Sequence, residues 1–498
     1  MDEKPKNLWK YDDKYQRYVT ISTIDSTIES ENVDERIVYI EDLEERRQAF
    51  GICGKCKEPG TGVDWCQSCN AKRFKDNFKN WTSGNKNIDE FIQQSQLNAV
   101  SYDTFLEWIP FEKFQNITYI AEGGFGKIYS AKWPEGNIYY WDIENQSWLR
   151  DNIDKYALKS LNNSSDICSD FLNEIKSHLQ IYIDDIVPCY GITQNPNNKE
   201  YMMVLYYCDD GNLRNYLNKS KNYINYNSKI YHLLQIARGL LDIHNAEKVY
   251  KDFHSGNILY NVSGYPFISD LGMCQPANLK QSIKEEGIHG VLPYMAPEVL
   301  CGQQYTKAAD IYSFGIIMNE LLSEEIPFNG IPHDEFLAIK ICKGLRPTIS
   351  KDVPKLLADL MIKCWNAEIK NRPTTKELYQ LLKKWNDEIE DIEGSEDSQN
   401  SEIYLQTKEC DKIRKEKFKN RSNEDKSKSF KTHPQAIYTS RLLNFKNLPK
   451  PVNSSSSFQF SSDANYTAQS TLANPISECL DVQLSELELN EISQDSEQ

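Results

Sequence analysis

The chain has 498 residues, enough for about three domains of roughly 150 residues each. It carries 57 Lys and Arg against 73 Asp and Glu, a net charge of −16, which argues against non-specific binding to nucleic acid. No run approaches the roughly 18 apolar residues of a membrane span, and the first residues show no secretory signal. These features argue against membrane, collagen-like and small disulfide-scaffold proteins. They predict a cytoplasmic location, with nuclear entry left open.

The first 110 residues are predicted to comprise three different segments. Residues 1–50 are charged, and apolar residues recur at helical spacing from Val33 to Leu43, so we predict one helix over residues 30–50. Residues 51–70 hold a cysteine cluster. Residues 71–110 are predicted to be a helical linker, with a break at Ser83 and Gly84, that packs on a neighbouring domain.

Four of the thirteen cysteines form the pattern C-x2-C-x9-C-x2-C. Two such hairpins bring four thiolates to tetrahedral distance, which is the arrangement of structural Zn²⁺. Without a secretory signal, paired CxxC motifs indicate a metal rather than disulfides, and a catalytic redox pair is the weaker alternative. We expect the module to be structural or to bind protein partners. The predicted zinc ligands are Cys53, Cys56, Cys66 and Cys69.

Residues 111–387 have a globular composition in which strand patterns precede helix patterns. Runs such as KYALKSL come first, and runs such as KAADIYSFGIIMNELLS follow. This order predicts an α+β fold of two segregated lobes. Within the first lobe, YYWDIENQSWLR predicts an extra hairpin, with Trp141 and Trp148 as a cross-strand pair rather than a binding site.

Beyond residue 387 the core pattern stops. Residues 388–498 are rich in Ser, Asn and charged residues, a composition that buries too little apolar surface to offset ordering entropy. We therefore predict a mostly disordered tail. One island, HPQAIYTSRLLNFKNLP, is richer in apolar residues and is a candidate for docking.

The first lobe contains a pattern suited to phosphate binding. Gly123, Gly124 and Gly126 lie between two strand-like runs, where a hairpin turn lets backbone N–H groups approach phosphates; an ordinary turn is the alternative. Lys159 lies near the end of an apolar strand. Glu174 lies fifteen residues on in a helical pattern, and a buried lysine needs such a carboxylate partner.

The second lobe supplies oxygen-bearing side chains. Asp252 and Asn257 are five residues apart in a polar loop, and Asp270 opens a DLG sequence eighteen residues after Asp252. Two carboxylates and an amide suit Mg²⁺ that is bound through substrate phosphates. Further on, Arg372 is a candidate partner for Glu298.

Taken in order, these motifs resemble a eukaryotic-type protein kinase over residues 114–385. The forms GGFG, YKDFHSGNIL, GVLPYMAPE and DIYSFG are similar to the tyrosine-kinase-like branch. They are especially similar to a lineage-expanded fungal group of kinase-like proteins with an N-terminal CxxC…CxxC element. The resemblance implies a bilobal kinase fold that takes ATP, Mg²⁺ and a protein substrate, with Ser/Thr favoured over Tyr, in signal transduction.

The resemblance also implies roles for the catalytic residues. Lys159, paired with Glu174, would hold the α- and β-phosphates, and Asp270 and Asn257 would hold Mg²⁺. Asp252 would orient the substrate hydroxyl and accept its proton.

A nucleotide pocket is implied as well. The backbone from Tyr206 to Cys208 would bond the adenine edge, with Leu205 as gatekeeper. The implied nucleotide contacts are Glu122, Gly123, Gly124, Phe125, Gly126, Ile128, Ala157, Lys159, Leu205, Tyr206, Cys208 and Leu259.

Several positions depart from the kinase pattern. Ala121 replaces the first loop glycine, and Lys251 replaces an arginine that could grip a phosphate bidentately. His254 and Val291 stand where serine/threonine kinases usually carry a lysine and a threonine. The alternative hypothesis is therefore a pseudokinase scaffold that binds partners through the zinc module and the tail. His178 is expected to be a partly exposed helix residue.

Overall fold

The computed structural model describes residues 7–11, 18–21, 36–123, 126–161, 169–181, 185–219, 223–278, 287–394, 401–420 and 432–453. The strands are β1 (Val19–Ile21), β2 (Ile37–Tyr39), β3 (Glu107–Trp108), β4 (Gln115–Gly123), β5 (Gly126–Lys132), β6 (Asn137–Asp142), β7 (Ser147–Asp151), β8 (Tyr156–Leu161), β9 (Cys189–Gln194), β10 (Tyr201–Tyr206), β11 (Gly211–Asn212), β12 (Lys248–Val249), β13 (Ile258–Tyr260), β14 (Pro266–Ile268), β15 (Gln275–Pro276), β16 (Ile288–Gly290) and β17 (Arg441–Leu443). The α-helices are α1 (Leu43–Phe50), α2 (Gln67–Asn77), α3 (Lys86–Asn98), α4 (Ser169–Gln180), α5 (Leu213–Lys219), α6 (Tyr226–Asn245), α7 (Pro297–Leu300), α8 (Lys307–Ser323), α9 (Glu335–Cys342), α10 (Lys355–Cys364), α11 (Thr375–Gly394) and α12 (Glu402–Asn420).

The first lobe is built on a six-stranded sheet in the order β3-β9-β10-β8-β5-β4. Its strands pair antiparallel except for β3, which runs parallel to β9. In β8 the two-residue period places Tyr156 and Leu158 in one apolar cluster and Ala157 in another, so the two faces pack separately. Lys159 shares the face of Ala157.

The second lobe is helical around two long central helices. Nearly every residue of α6 and α8 is buried, as expected for helices that pack on all sides. α11 packs along α6, and the lobe also holds a three-stranded sheet, β11-β13-β14, and two strand pairs, β12-β15 and β16-β17. The predicted α+β fold of two lobes is confirmed. No helix in the described ranges is long and apolar enough to cross a membrane.

The cysteine module, residues 51–70, is joined to α1 through a buried arginine. Arg46 donates three hydrogen bonds to backbone carbonyls: Nε to Gly60 at 2.9 Å, Nη2 to Pro59 at 2.7 Å and Nη1 to Ile40 at 2.6 Å. Trp65 is fully buried, and its Nε1 donates to the carbonyl of Ala99 at 2.9 Å. Trp65 thus places the module in a core shared with α2, the linker and β6.

The predicted extra hairpin forms from β6 and β7, and Trp141 lies directly opposite Trp148 with ring centroids 5.2 Å apart. Trp148 also stacks on Trp65 at 5.9 Å and on Phe74 at 4.9 Å. The guanidinium of Arg73 lies 4.3 Å from the Trp141 ring. The hairpin thus fastens the cysteine module to the first lobe.

The predicted linker region contains two helices, the first of which begins within the cysteine module at Gln67. Helices α2 and α3 are separated at the expected break, and the side chain of Asn85 caps the N-terminus of α3. Ile88 and Ile92 are fully buried in the same cluster as Phe171 and Ile175 of α4. The linker therefore belongs to the core around α4.

The single helix predicted over residues 30–50 is wrong where the structure describes it. Residues 37–39 form β2, which pairs parallel with β1, and the helix begins only at Leu43. The carboxylate of Asp42 accepts a hydrogen bond from the N–H of Glu45, which fixes that N-terminus. Residues 30–35 lie outside the described residues.

The predicted disorder is wrong for α12 and for residues 432–453. Ile403, Thr407 and Arg414 lie on one side of α12 and are at most 8% exposed. Arg414 donates to the carbonyls of Leu322 and Ser323, which the end of α8 leaves without intrahelical partners. The apolar island docks on the second lobe, as the sequence suggested. Residues 388–394 continue α11, so the predicted disorder is wrong there as well, and the other residues of the predicted tail, apart from Ser401, lie outside the described residues.

Candidate active site

Lys159 is the centre of the candidate site. Its Nζ lies 2.6 Å from Oε1 of Glu174 and 2.9 Å from Oδ1 of Asp270. The three residues come from β8, from α4 and from the turn after β14. The structure therefore brings together three charged residues that were candidates in the sequence. Lys159 and Asp270 are 111 residues apart along the chain.

The charges of this cluster are coupled. Burial disfavours the ammonium of Lys159, but the carboxylates of Asp270 and Glu174 outweigh it and raise the pKa of the lysine. Burial raises the pKa of Glu174 to about 7. Asp270 is only partly buried; burial disfavours its charge, but the neighbouring Lys159 outweighs this effect and lowers the pKa, so the carboxylate is held ionised.

Asp252 and Asn257 lie in the loop between β12 and β13. Asp252 is 5% exposed, and its Oδ1 is buried without a hydrogen-bond partner in the described part of the chain. Nδ2 of Asn257 donates to the carbonyl of Asp252 at 3.0 Å, so Oδ1 of Asn257 is the atom that can bind a cation. An unpartnered carboxylate oxygen, an amide oxygen and the Asp270 carboxylate fit Mg²⁺ and a substrate hydroxyl.

The same loop is anchored to α8 by a carboxylate to which sequence analysis gave no role. Asp310 is fully buried and accepts the backbone N–H of Tyr250 at 2.9 Å and of Lys251 at 3.0 Å. His244 bonds the same carboxylate at 2.9 Å. Lys251 has φ of 72°, a left-handed conformation that these bonds stabilise. The DIYSFG motif was the available signal for Asp310.

Two departures from the kinase pattern have structural partners. Nδ1 of His254 accepts the N–H of Gly256 at 3.0 Å, so its ring proton lies on Nε2, which is 3.5 Å from Oδ2 of Asp252. Nζ of Lys251 donates to Oε1 of Gln275 at 2.9 Å. Both side chains are thus held in place within the site.

The nucleotide pocket has the expected apolar lining. Ala157 and Leu259 pack in the same cluster as Leu205 and Cys208. The N–H of Tyr206 donates to the carbonyl of Pro188. Pairing between β4, β5 and β8 positions the remaining described contacts: Gly123 lies opposite Gly126, Glu122 opposite Lys127, and Ile128 opposite Lys159. Gly124 and Phe125 lie outside the described residues.

The expectation for His178 is wrong, because the side chain is 6% exposed. It lies one turn after Glu174 on α4, and burial lowers its pKa to about 4. This histidine is therefore neutral at physiological pH and belongs to the core under the site.

A second buried network joins the site to α5 and α8. Two of its members, Ser255 and Tyr294, lie in the YKDFHSGNIL and GVLPYMAPE motifs, which gave them no such role. The hydroxyl of Tyr294 lies 2.9 Å from Oγ of Ser255, and Nη2 of Arg214 donates to it at 2.9 Å. Tyr294 donates to Oε2 of Glu320 at 2.5 Å. The network ties the segment before α7 to the loop that carries Asp252.

The predicted pair between Arg372 and Glu298 is present and bidentate, with distances of 2.6 and 2.7 Å. Both side chains are buried. Nη1 and Nε of Arg372 also donate to the carbonyls of Ala308 and Asn366. The pair joins α7 to the segment before α11.

The four predicted zinc ligands lie together. Their Sγ atoms are all within 4.8 Å of one another, with 3.9 Å between Cys53 and Cys69 and 3.6 Å between Cys56 and Cys66. Tetrahedral coordination at about 2.3 Å places sulfurs about 3.8 Å apart, so the donor set fits Zn²⁺. These separations are too long for disulfides.

The family model described as protein tyrosine and serine/threonine kinase matches residues 114–382, more than half of the chain. The chain therefore belongs to the protein kinase family. Membership confirms the predicted resemblance and implies ATP and Mg²⁺ as ligands of the site.

Three relatives illustrate the similarity. The serine/threonine-protein kinase VIK of Arabidopsis thaliana is 29% identical over 280 residues, which cover 54% of this chain and 60% of the relative. The serine/threonine/tyrosine-protein kinase HT1 of the same plant is 27% identical, over 44% of this chain and 55% of its own. The human serine/threonine-protein kinase TNNI3K is 26% identical, over 53% of this chain and 30% of the relative. The matches thus span 60% or less of each of these three relatives.

Proposed function

We propose that this chain transfers the γ-phosphoryl group of ATP to serine or threonine hydroxyls of a protein substrate in signal transduction. The observation that carries the proposal is the contact of Lys159 with both Glu174 and Asp270. A lysine held between two carboxylates is positioned to bind phosphates beside a metal ligand. The names of the relatives support serine and threonine as acceptors.

The protein groups then have distinct tasks. Lys159 holds the α- and β-phosphates and is oriented by Glu174. Asp270 and the Oδ1 of Asn257 would hold Mg²⁺, which would supply positive charge beside the phosphates when bound. The unpartnered Oδ1 of Asp252 orients the acceptor hydroxyl and takes its proton. Because Asp310 fixes the backbone of this loop, the aspartate is pre-positioned.

The nucleotide base is proposed to lie in the apolar pocket beyond Lys159. Ala157 and Leu259 flank the base, with Ile128 above it and Leu205 at the back. The backbone from Tyr206 to Cys208 offers hydrogen bonds to the adenine edge. The N–H of Tyr206 already donates to the carbonyl of Pro188. We therefore propose that the carbonyl of Tyr206 and the N–H of Cys208 form the hydrogen bonds with adenine.

A transfer assay tests the proposed activity. Purified chain, Mg²⁺ and ATP labelled at the γ-phosphate should label a general acceptor such as myelin basic protein. Phosphoamino-acid analysis should return phosphoserine and phosphothreonine. Binding of ATP without any transfer would instead support the pseudokinase scaffold.

We also propose one structural Zn²⁺ in the cysteine module, with the module and the C-terminal residues as surfaces for protein partners. The four sulfurs have the spacing that the metal needs, and none of the cysteines in the described ranges forms a disulfide. Free cysteines suit a reducing compartment and support a cytoplasmic location.

Replacing Cys66 with Ser is expected to remove this zinc, because the side chain is 4% exposed and supplies one of four ligands. Elemental analysis should fall from one zinc per chain to none, and the melting temperature should drop, since metal binding contributes to folding. Cys410→Ser, outside the module, is the control and should keep the metal. Parental protein purified without chelator that contains no zinc would contradict the proposal.

Activity is expected not to depend on phosphorylation of the segment between Asp270 and Glu298. The only side-chain hydroxyls there belong to Ser282, which lies outside the described residues, and to Tyr294, which is buried. Lys251 offers only a point charge and already contacts Gln275. Ser282→Ala and phosphatase-treated parent should both retain turnover. A tenfold fall in both, about 1.4 kcal/mol of barrier, would show that the phosphate is needed.

A further inference from the structure

Residues 432–453, named here the tail segment, lie on the helical lobe beside the candidate site. Strand β17 pairs antiparallel with β16, so that Arg441 lies opposite Gly290 and Leu443 opposite Ile288. Leu443 is 5% exposed and packs in the core of the second lobe, whereas Leu442 is 53% exposed. The strand therefore has one buried face and one solvent face.

Strand β16 lies at the approach to Asp252. It is followed directly by the segment that leads to Tyr294, whose hydroxyl is 2.9 Å from Oγ of Ser255. Ser255 follows Asp252 by three residues. The segment that follows β16 therefore lies beside the loop that carries Asp252, and a polypeptide that presents a hydroxyl to Asp252 can run along it. The edge of β16 is suited to it, because strand addition binds extended peptides through main-chain hydrogen bonds.

The first half of the tail segment crosses the network around Tyr294. The guanidinium of Arg214, which donates to Tyr294, lies 3.8 Å from the ring centroid of Tyr438. The hydroxyl of Tyr438 donates to the carbonyl of Pro327 at 2.8 Å, and the ring meets that of His333 at 4.7 Å. The tail segment thus runs from the network around Tyr294 to the edge of β16.

The second half of the tail segment is fixed further down the lobe. The N–H of Val452 donates to the carbonyl of Cys342 at 2.9 Å, and Asn453 accepts the N–H of Ala367 at 2.8 Å. A segment tethered within its own chain acts at an effective concentration in the millimolar range. An external peptide therefore has to displace a strongly favoured occupant.

We propose that β16 is the docking edge for protein substrates and that the tail segment occupies it as an intramolecular competitor. The proposal rests on the kinase function proposed above and names its substrate class. The favoured substrate is an extended peptide with an aliphatic side chain seated where Leu443 lies. Release of the tail segment is then the step that admits a substrate.

The test compares two full-length variants that carry the same change on opposite faces of one strand. Leu443→Asp places a carboxylate in the core and should release the segment, while Leu442→Asp changes only the solvent face. With myelin basic protein as acceptor, Leu443→Asp should lower the KM for the acceptor about tenfold. Its kcat and its KM for ATP should stay near the parental values. Leu442→Asp should match the parent in all three.

A binding measurement separates this proposal from the proposed activity. A fluorescent synthetic peptide of residues 435–447 should bind Leu443→Asp at least tenfold more tightly than it binds the parent. The same peptide with Asp at the Leu443 position should not bind. Because binding needs no phosphoryl transfer, tight binding without transfer would reject the proposed activity alone.

Other outcomes would overturn the proposal. Equal peptide binding by parent and Leu443→Asp would show that the segment does not compete for the edge. A fall in kcat with unchanged KM would show that the strand supports the site instead of covering it. If Leu443→Asp fails to fold, Tyr438→Ala, which removes a half-buried ring from Arg214, takes its place with the same expected changes and the same contradicting results.

Discussion

Asp270→Asn is expected to lower turnover roughly a thousandfold, about 4 kcal/mol of barrier, while the fold survives. The change preserves the shape of the side chain but removes the charge that is proposed to hold Mg²⁺. Lys159 keeps its partner Glu174 at 2.6 Å, so no buried charge is left alone. Asp359→Asn, at an exposed position on α10 and outside the site, is the matched control.

The measurement is turnover under saturating ATP, together with thermal unfolding of both variants. Equal melting temperatures and a large loss of turnover for Asp270→Asn alone are the expected outcome. Near-parental turnover in this variant would make the metal assignment wrong.

Lys159→Met should abolish transfer to a similar extent, for a different reason. The variant loses the cation that holds the phosphates, and Glu174 stays buried. Burial already raises the pKa of Glu174 to about 7 beside the lysine, so without that lysine the carboxyl is expected to be protonated at neutral pH. A neutral carboxyl is tolerated in the core, and the fold should survive. Lys155→Met, at a more exposed lysine near the same strand, is the control.

The catalytic cluster could be predicted from sequence because each member lies in a locally readable pattern. The period of two in β8 places Lys159 on the inner face, and a helical pattern carries Glu174. That Lys159 and Glu174 share a site with Asp270 was implied only by the resemblance to kinases, since no local rule joins positions 111 residues apart. The direct contact between Lys159 and Asp270 was not predicted. Asp310 was missed because its task is to accept two backbone N–H groups, which side-chain chemistry does not reveal.

The N-terminal and C-terminal errors share a physical cause. Residues 37–39 fit a helical period, but pairing with β1 determines their structure, and that partner is not evident from local sequence. In α12 the overall composition is charged, yet Arg414 is buried because it satisfies carbonyls at the end of α8. Composition describes the average of a segment, whereas docking depends on a few positions along one side.

Arg372→Met is expected to be among the most destabilising substitutions in the second lobe, by about 3–5 kcal/mol in the free energy of unfolding. It would leave Glu298 buried without its cation. It would also remove the bonds to the carbonyls of Ala308 and Asn366. Lys383→Met, which breaks an exposed pair with Asp387, is the control and should cost less than about 1 kcal/mol.

A double variant distinguishes the loss of the attraction between Arg372 and Glu298 from the cost of leaving the Glu298 carboxylate buried and unpaired. If the cost of Arg372→Met comes mainly from the unpaired carboxylate, then Arg372→Met combined with Glu298→Met should recover part of it, because replacing both charges of a buried pair is often neutral. Denaturant unfolding is measured, in the presence of zinc, for the parent, for the single variants Arg372→Met and Glu298→Met, and for the double variant. The four free energies of unfolding give the coupling energy between the two side chains. A single-variant cost as small as that of Lys383→Met would contradict the view that this buried pair joins α7 to the segment before α11.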